Sequence, residues 1–200
     1  METMALDEYL KEHGFDLSPE HSKKNEGYMT HLQQSQFNRR LAELQHVKRV
    51  LEIGLNAGHS AENFFQMLPN LTRLVSFDLN IHPYTMSALK YLYKTYENRF
   101  TFKQGDSQIA IPEFIRCNEG TFDLIYIDGG HSFDCCFNDI MNCRRLAHKD
   151  TILWIDDYTD EVKKAVDECF YLGVLKRPTT TYCSKDSCGN RIWFECKYEI

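Results

Sequence analysis

Three groups of residues in this chain are of the types that hold ligands or move protons. The first is Gly54-Leu55-Asn56-Ala57-Gly58-His59-Ser60, which follows the apolar stretch Val50-Leu51-Glu52-Ile53. A strand that empties into a glycine-bearing turn and leaves into a helix lets backbone approach a ligand and offers it the unpaired N–H groups of the helix start. The second is Asp128-Gly129-Gly130-His131, which closes the apolar run Phe122-Asp123-Leu124-Ile125-Tyr126-Ile127. It sets an acid and an imidazole at one strand end, where open α/β sheets bind ligands. The third is Asp156-Asp157, directly after Thr151-Ile152-Leu153-Trp154-Ile155. Neighbouring strand residues point to opposite faces, so this pair converges only where the strand has already ended. Asp128, Asp156 and Asp157 together would supply three hard oxygen ligands, and a magnesium-like ion takes one or two carboxylates with waters and substrate oxygens. His131 is the general-base candidate, because imidazoles as a class titrate near neutrality; the other reading is a hydrogen-bonded loop histidine.

Such groups need a rigid frame, and the pattern of the chain provides one. Apolar runs at 50–54, 73–79, 100–105, 122–128 and 151–156 alternate with helical patterns from about Ser60, through Tyr91, around 109–115, from Phe133 to Leu146 and from Asp160 to Phe170. Apolar runs separated by helices are what a parallel sheet covered on both faces requires. After Gly173 the rhythm breaks: 174–183 and 190–198 both read as strands, and the polar stretch Ser184–Gly189 between them is too short for a crossover helix. A hairpin results, with the last strand antiparallel. The fold expected is α/β, a Rossmann-like sheet of seven mostly parallel strands with an antiparallel terminal strand and helices on both faces. Residues 1–48 read as an amphipathic helical cap with Leu32, Phe37, Leu41 and Leu44 on one side, and 49–200 as the core of one domain.

The glycine loop alone suits either a dinucleotide or a methyltransferase cofactor. A dinucleotide fingerprint needs Gly-x-Gly-x-x-Gly to seat a pyrophosphate, whereas Asn56 and His59 stand at its later positions, so a phosphate-free cofactor fits better. At this point the chain resembles the class I S-adenosylmethionine-dependent methyltransferases, in particular a compact group whose first motif reads E-I-G-x-x-x-G-x-S. Glu52-Ile53-Gly54, Gly58 and Ser60 match it, and the likeness runs from about Val50 to Asp157.

The resemblance implies that S-adenosyl-L-methionine lies against Glu52, Gly54, Asn56, Gly58, Ser60 and Asp128, with Asp78 accepting hydrogen bonds from both ribose hydroxyls. Gly105-Asp106-Ser107 looks like the adenine-recognition turn, although an Asp-Ser pair also caps helices. Asp128 and His131 are similar to the D-x-x-H segment of small-molecule methyltransferases. In the metal-dependent branch, which includes catechol and sugar O-methyltransferases, acids matching Asp128, Asp156 and Asp157 bind magnesium; other relatives carry an acid after the fifth strand without using metal. A lysine that some catechol-type relatives use for proton abstraction is missing from the segment. Glu52 equally suits local backbone donors, and His59 a surface position. The function implied is methyl transfer to a hydroxyl of a small molecule with help from a divalent metal. The alternative is an inactive cofactor-binding or protein-interaction module, since fold does not guarantee activity; a nicotinamide oxidoreductase is disfavoured by Asn56.

Composition narrows the partners. Hydrophobic residues make up 42% and charged residues 26%, as in ordinary globular chains. The net charge of −6, without a basic run longer than a pair, speaks against a nucleic-acid substrate. No apolar run approaches the roughly 20 residues of a membrane helix, and METMALDEYLKEH is too polar for a signal peptide, so the expected place is the cytoplasm. The eight cysteines are scattered and read as reduced thiols; Cys183, Cys188 and Cys196 lack an evident fourth zinc ligand. Tyr91, Tyr93 and Tyr96 read as packing and surface rather than a substrate cage. Trp193-Phe194 on the terminal strand suggests a homodimer contact, while Glu26-Gly27-Tyr28-Met29-Thr30 identifies no acceptor.

Overall fold

The apolar runs become strands because their β-branched and aromatic side chains pack well on a pleated surface. A computed structural model describes residues 4–17, 31–117, 120–177, 183–185 and 191–200. In it β1 (Arg49–Ile53), β2 (Arg73–Asp78), β3 (Phe100–Gln104), β4 (Phe122–Ile127) and β5 (Ala147–Ile155) are all parallel. The helices are α1 (Leu6–Glu12), α2 (His31–Glu43), α3 (His59–Met67), α4 (Thr85–Tyr96), α5 (Ser107–Cys117), α6 (Phe133–Cys143) and α7 (Asp160–Tyr171). Side-chain oxygens cap α6 and α7, as Ser132 accepts from the Cys135 N–H and Thr159 from the Val162 N–H.

β8 (Arg191–Tyr198) runs antiparallel beside β5, and β6 (Leu175–Lys176) and β7 (Cys183–Lys185) pair with its other edge. The order is β3-β2-β1-β4-β5-β8-β6, with β7 also on β8. This is the expected Rossmann-like sheet with one difference: the penultimate strand is two short ones. Lys176 pairs with Lys197 and Cys183 with Phe194, so seven steps along one chain face three along the other, and no uninterrupted ladder satisfies that register. Residues 186–190, where the sequence predicts the turn, and with them Cys188 lie outside the described residues, as do 26–30.

Strand alternation divides the core into two. Val50, Leu74, Leu124, Tyr126, Ile152 and Trp154 face α1 to α4, while Leu51, Val75, Ile125, Ile127, Leu153 and Ile155 face α5 to α7. Leu6, Leu10, Phe37, Leu41 and Leu44 belong to the first of these cores, so the N-terminal helices are built into it. Phe37 meets the rings of Phe64, Tyr126 and Trp154 at 5.3, 5.6 and 5.0 Å. Arg40 donates to both carboxylate oxygens of Glu195 at 2.8 and 2.7 Å, and the Trp154 indole N–H reaches the same acid at 2.9 Å. Leu32, expected on this face, is instead exposed. It lies five residues before Phe37 and therefore about 140° round the helix.

Trp193 stacks on Trp154 at 4.8 Å, and Phe194 packs on Tyr158 at 5.2 Å, so both residues thought of as a dimer contact are buried within the chain itself. Cys136, Cys143, Cys169 and Cys196 are buried free thiols. No helix among the described residues is long and apolar enough to cross a membrane.

Candidate functional site

β1 has β2 on one side and β4 on the other, so the chain winds outward in opposite directions from this point and leaves a crevice at the C-terminal strand ends. One further row of main-chain bonds runs beyond the strands: Gly105 N–H to Asp78 O, Gly54 N–H to Phe77 O, Asp128 N–H to Ile53 O and Asp156 N–H to Ile127 O, all between 2.8 and 2.9 Å. The row launches Asp78, Asp128 and Asp156 from a single level. Above it lies a cavity of about 700 Å³ walled by the five loops that follow β1 to β5, a size suited to a small-molecule site.

One half of the cavity is a backbone frame with an acid at its centre. Gly54 has φ +90°, and a Cβ there would overlap the Asp128 carbonyl, whose carbon is 2.7 Å away. Asp78 accepts the Asn56 N–H at 2.9 Å and the Asn80 N–H at 2.5 Å, one on each carboxylate oxygen. Asn56 and Asn80 have φ of 50° and 58°, conformations that asparagine tolerates better than most residues. Each Asp78 oxygen keeps a free acceptor position toward the cavity loops. The Asn56 Oδ1 is buried without a hydrogen-bond partner. Asp106 and Ser107 also line the cavity, and Asp106 caps α5 by accepting the Gln108 N–H at 2.9 Å, so the capping reading of this pair is realised in the geometry.

Glu52 and Gly58 sit behind the wall rather than in it. Glu52 is fully buried, with Ser60 and Ser76 hydroxyls donating to its two oxygens, the latter at 2.5 Å. Burial pushes its carboxyl up to about 7, while those two hydroxyls act in the opposite direction. It ties the first turn of α3 to β2 from beneath. Gly58, with φ +84°, precedes α3; a Cβ on it would lie 3.2 Å from Leu92 and 3.4 Å from Ala88 of α4. Its role is close helix packing.

The other half is acidic. Asp128 lies between Tyr126, whose hydroxyl donates to it at 3.3 Å, and His131, whose Nε2 is 4.0 Å away. His131 Nε2 is 3.1 Å from Asp157. The Tyr126 hydroxyl is also hydrogen-bonded to Asp156. Ligand atoms of Asp128, His131 and Asp157 all fall within 4.8 Å of one another. The sequence reading grouped Asp128, Asp156 and Asp157; the structure brings Asp128 and Asp157 together with His131 and turns Asp156 toward Tyr126. Asp157 has φ +41°, so its side chain leaves in a different direction, and its N–H donates to Asp156 at 2.8 Å. Burial, then the charges of Asp156, Asp157 and Glu52, hold the Asp128 carboxyl well above the usual carboxylate range. Burial raises Asp156 as well, against the Tyr126 hydrogen bond. Crowded acids of this kind retain a proton or take up a cation.

Gln108, Tyr126 and His82 are among the cavity-lining residues that the motifs did not single out. Gln108 is held by Asn138, whose amide donates to it at 3.2 Å, and Tyr126 floors the acidic half. His82 stacks on Tyr84 at 5.0 Å. A glutamine two residues after Asp106 in a first helical turn is the signal that was available for Gln108. His59 also lines the cavity, paired with Asp7 of α1 at 2.7 Å. Tyr91, Tyr93 and Tyr96 do not line it: Tyr91 donates to Glu62 at 2.7 Å and Tyr96 stacks on Phe65 at 3.9 Å.

A family model described as a methyltransferase domain matches residues 51–158. Among solved structures, the chain is similar to an O-methyltransferase from Bacillus cereus in complex with SAH. That pair has 16% identity and a TM-score of 0.71, over 97% of this chain and 90% of that one. It is also similar to an SAH-bound methyltransferase from Podospora anserina, with 16% identity and a TM-score of 0.69 over 98% and 88%. The O-methyltransferase of tomaymycin synthesis from Streptomyces achromogenes, in complex with SAM, gives 18% identity and a TM-score of 0.67 over 96% and 87%. At these identities the likeness is one of fold. No curated protein matches the chain.

Proposed function

Because the chain belongs to the methyltransferase-domain family, of the class I S-adenosylmethionine-dependent kind, we propose that it carries the methyl group of S-adenosyl-L-methionine to a hydroxyl of a small molecule with help from a divalent cation. The observation that carries this reading is that one cavity joins the Asn56–Asp78 frame to the Asp128, His131 and Asp157 group. The residues fit the cofactor. Asp78 retains acceptor positions for paired hydroxyls, the orphaned Asn56 Oδ1 suits an ammonium donor, and Gly54 permits close approach. Asp106, Ser107 and Gln108 present the wall for the nucleobase. When bound, the cofactor supplies an electrophilic methyl carbon; the protein's part is alignment, acceptor deprotonation and exclusion of water.

The acidic half fits a cation by its donor set: two carboxylates that repel one another and an imidazole within ligand reach. A magnesium-like ion on Asp128, His131 and Asp157 would lower the pKa of the acceptor hydroxyl. Asp156, hydrogen-bonded to Tyr126 and to the Asp157 N–H, holds Asp157 in place. The 3.1 Å contact between His131 Nε2 and Asp157 supports a second, cation-free reading in which Asp157 accepts from the Nε2–H and orients the imidazole, leaving Nδ1 to take the acceptor's proton.

The test is release of S-adenosylhomocysteine across a panel of phenols, sugars and small hydroxylated metabolites, with magnesium and with chelator. Turnover lost on chelation supports the cation, and turnover kept supports His131 as base. Cofactor binding with no turnover on any acceptor supports the inactive module.

A further inference from the structure

Asp139 lies outside the cavity and is the group whose position the reaction leaves unexplained. It is fully buried in α6, and neither carboxylate oxygen has a partner at close hydrogen-bond geometry, the Ser107 hydroxyl being the donor that lies toward it. Such a group is costly in a packed interior, and an apolar side chain would fill the space without that cost.

Its neighbours on the helix show what it serves. Cys135, Asn138 and Asp139 are spaced i, i+3, i+4 and so share one face. Gln108 donates to Cys135 Sγ at 3.5 Å, and Asn138 donates to Gln108 at 3.2 Å. Asp139 Oδ2 lies 3.2 Å from the place a Cβ on Gly129 would occupy, and Cys135 Sγ 3.0 Å from the corresponding place on Gly130. The Ser107 hydroxyl is the neighbour that favours the ionised form of Asp139. Ser107, Gln108, Gly129 and Gly130 are cavity-lining residues. A single face of α6 therefore backs two separate turns of one wall.

We infer that Asp139 is a positioning residue for the nucleobase end of the cofactor site, setting the Ser107–Gln108 turn against the Gly129–Gly130 turn through this face of α6. The inference rests on the cofactor reading above. Burial raises the Asp139 carboxyl to about 6, with Ser107 lowering it and Asp106 raising it. The other titratable groups facing it are Cys136 and Cys143 of α6 and Tyr198 of β8, whose own burial keeps them neutral in this range. The ionised acid is the stronger acceptor for Ser107, so the wall is best ordered above the Asp139 pKa.

The probes are S-adenosylhomocysteine and 5′-methylthioadenosine, titrated calorimetrically into the full chain between pH 5 and 8, with thermal unfolding alongside. Asp139→Ala is expected to weaken both ligands by the same factor, about tenfold. Wild-type affinity is expected to fall about threefold more than that of Asp139→Asn as pH drops from about 8 to about 5, the two meeting at low pH, and Asp139→Asn unfolds no lower than wild type at pH 8. Should Asp139→Ala fail to fold, the pH comparison with Asp139→Asn still decides. Wild-type binding together with variants that match it within twofold at every pH overturns the role of Asp139 alone. Absence of binding by the wild type overturns the cofactor reading and this inference with it.

Discussion

Asp78→Ala removes the acceptor at the centre of the cavity's backbone frame. Two N–H groups, from Asn56 at 2.9 Å and Asn80 at 2.5 Å, lose their partner, and both residues stand at positive φ where the carboxylate helps to hold them. Bonds to a charged acceptor contribute about 1.5–3 kcal/mol each, and partial exposure of Asp78 to solvent brings the pair to roughly 2 kcal/mol. Loss of the ribose acceptor adds a similar amount to the binding term, so affinity for S-adenosylhomocysteine is expected to fall by about 100-fold or more. Asp78→Asn keeps one acceptor oxygen and is expected to lose about tenfold. For a chain of this length, a loss of roughly 2 kcal/mol lowers the melting temperature by about 4–8 °C. Calorimetry and a thermal scan on the same samples separate the two effects. A melting temperature that falls while affinity stays within threefold refutes the reasoning, because Asp78 would then brace the loop without meeting the ligand.

Gly54→Ala, at φ +90° and against the Asp128 carbonyl, is expected to cost more than about 2 kcal/mol of stability in urea unfolding; a neutral substitution contradicts the close approach of the two loops. Glu52, raised from 4.5 to about 7 by burial, binds its proton more tightly in the folded protein than in the unfolded chain. Its contribution to stability therefore falls as pH rises from about 4.5 to about 7 and is level above, a loss of order 3 kcal/mol. Glu52→Gln removes most of that slope, and an unchanged slope between pH 4.5 and 8 argues against the buried ionisation. Asp128→Ala and Asp157→Ala are expected to lower methyl transfer by about 100-fold while leaving S-adenosylhomocysteine affinity within threefold. An equal fall in both quantities would place those carboxylates in the cofactor half instead.

The parts of this molecule that were legible in the sequence are those set by local pattern. The Val50 to Ser60 strand, turn and helix, the acid after β2 and the Asp-Gly-Gly-His turn all occupy the C-terminal sheet edge, because strand period and glycine placement decide them locally. What stayed hidden depends on contacts between elements distant in sequence. Nothing near Asp156 reveals that Tyr126, thirty residues earlier, takes its carboxylate and leaves Asp157 to His131. Gly58 looked like a ligand contact, and only the approach of Leu92 and Ala88 shows that helix packing requires it. Leu32 was misplaced by a helix whose rotation only the packing of Phe37 determines. Asp139 carried no motif at all, and its interest appears once α6 is seen behind both turns.

The central claim is that the Asn56–Asp78 frame receives S-adenosylmethionine. Titration of the purified chain with S-adenosylhomocysteine tests it most directly. The account predicts one saturable site per chain, weakened about 100-fold or more by Asp78→Ala. Absence of any binding heat or thermal shift with either the cofactor or its demethylated product would contradict it.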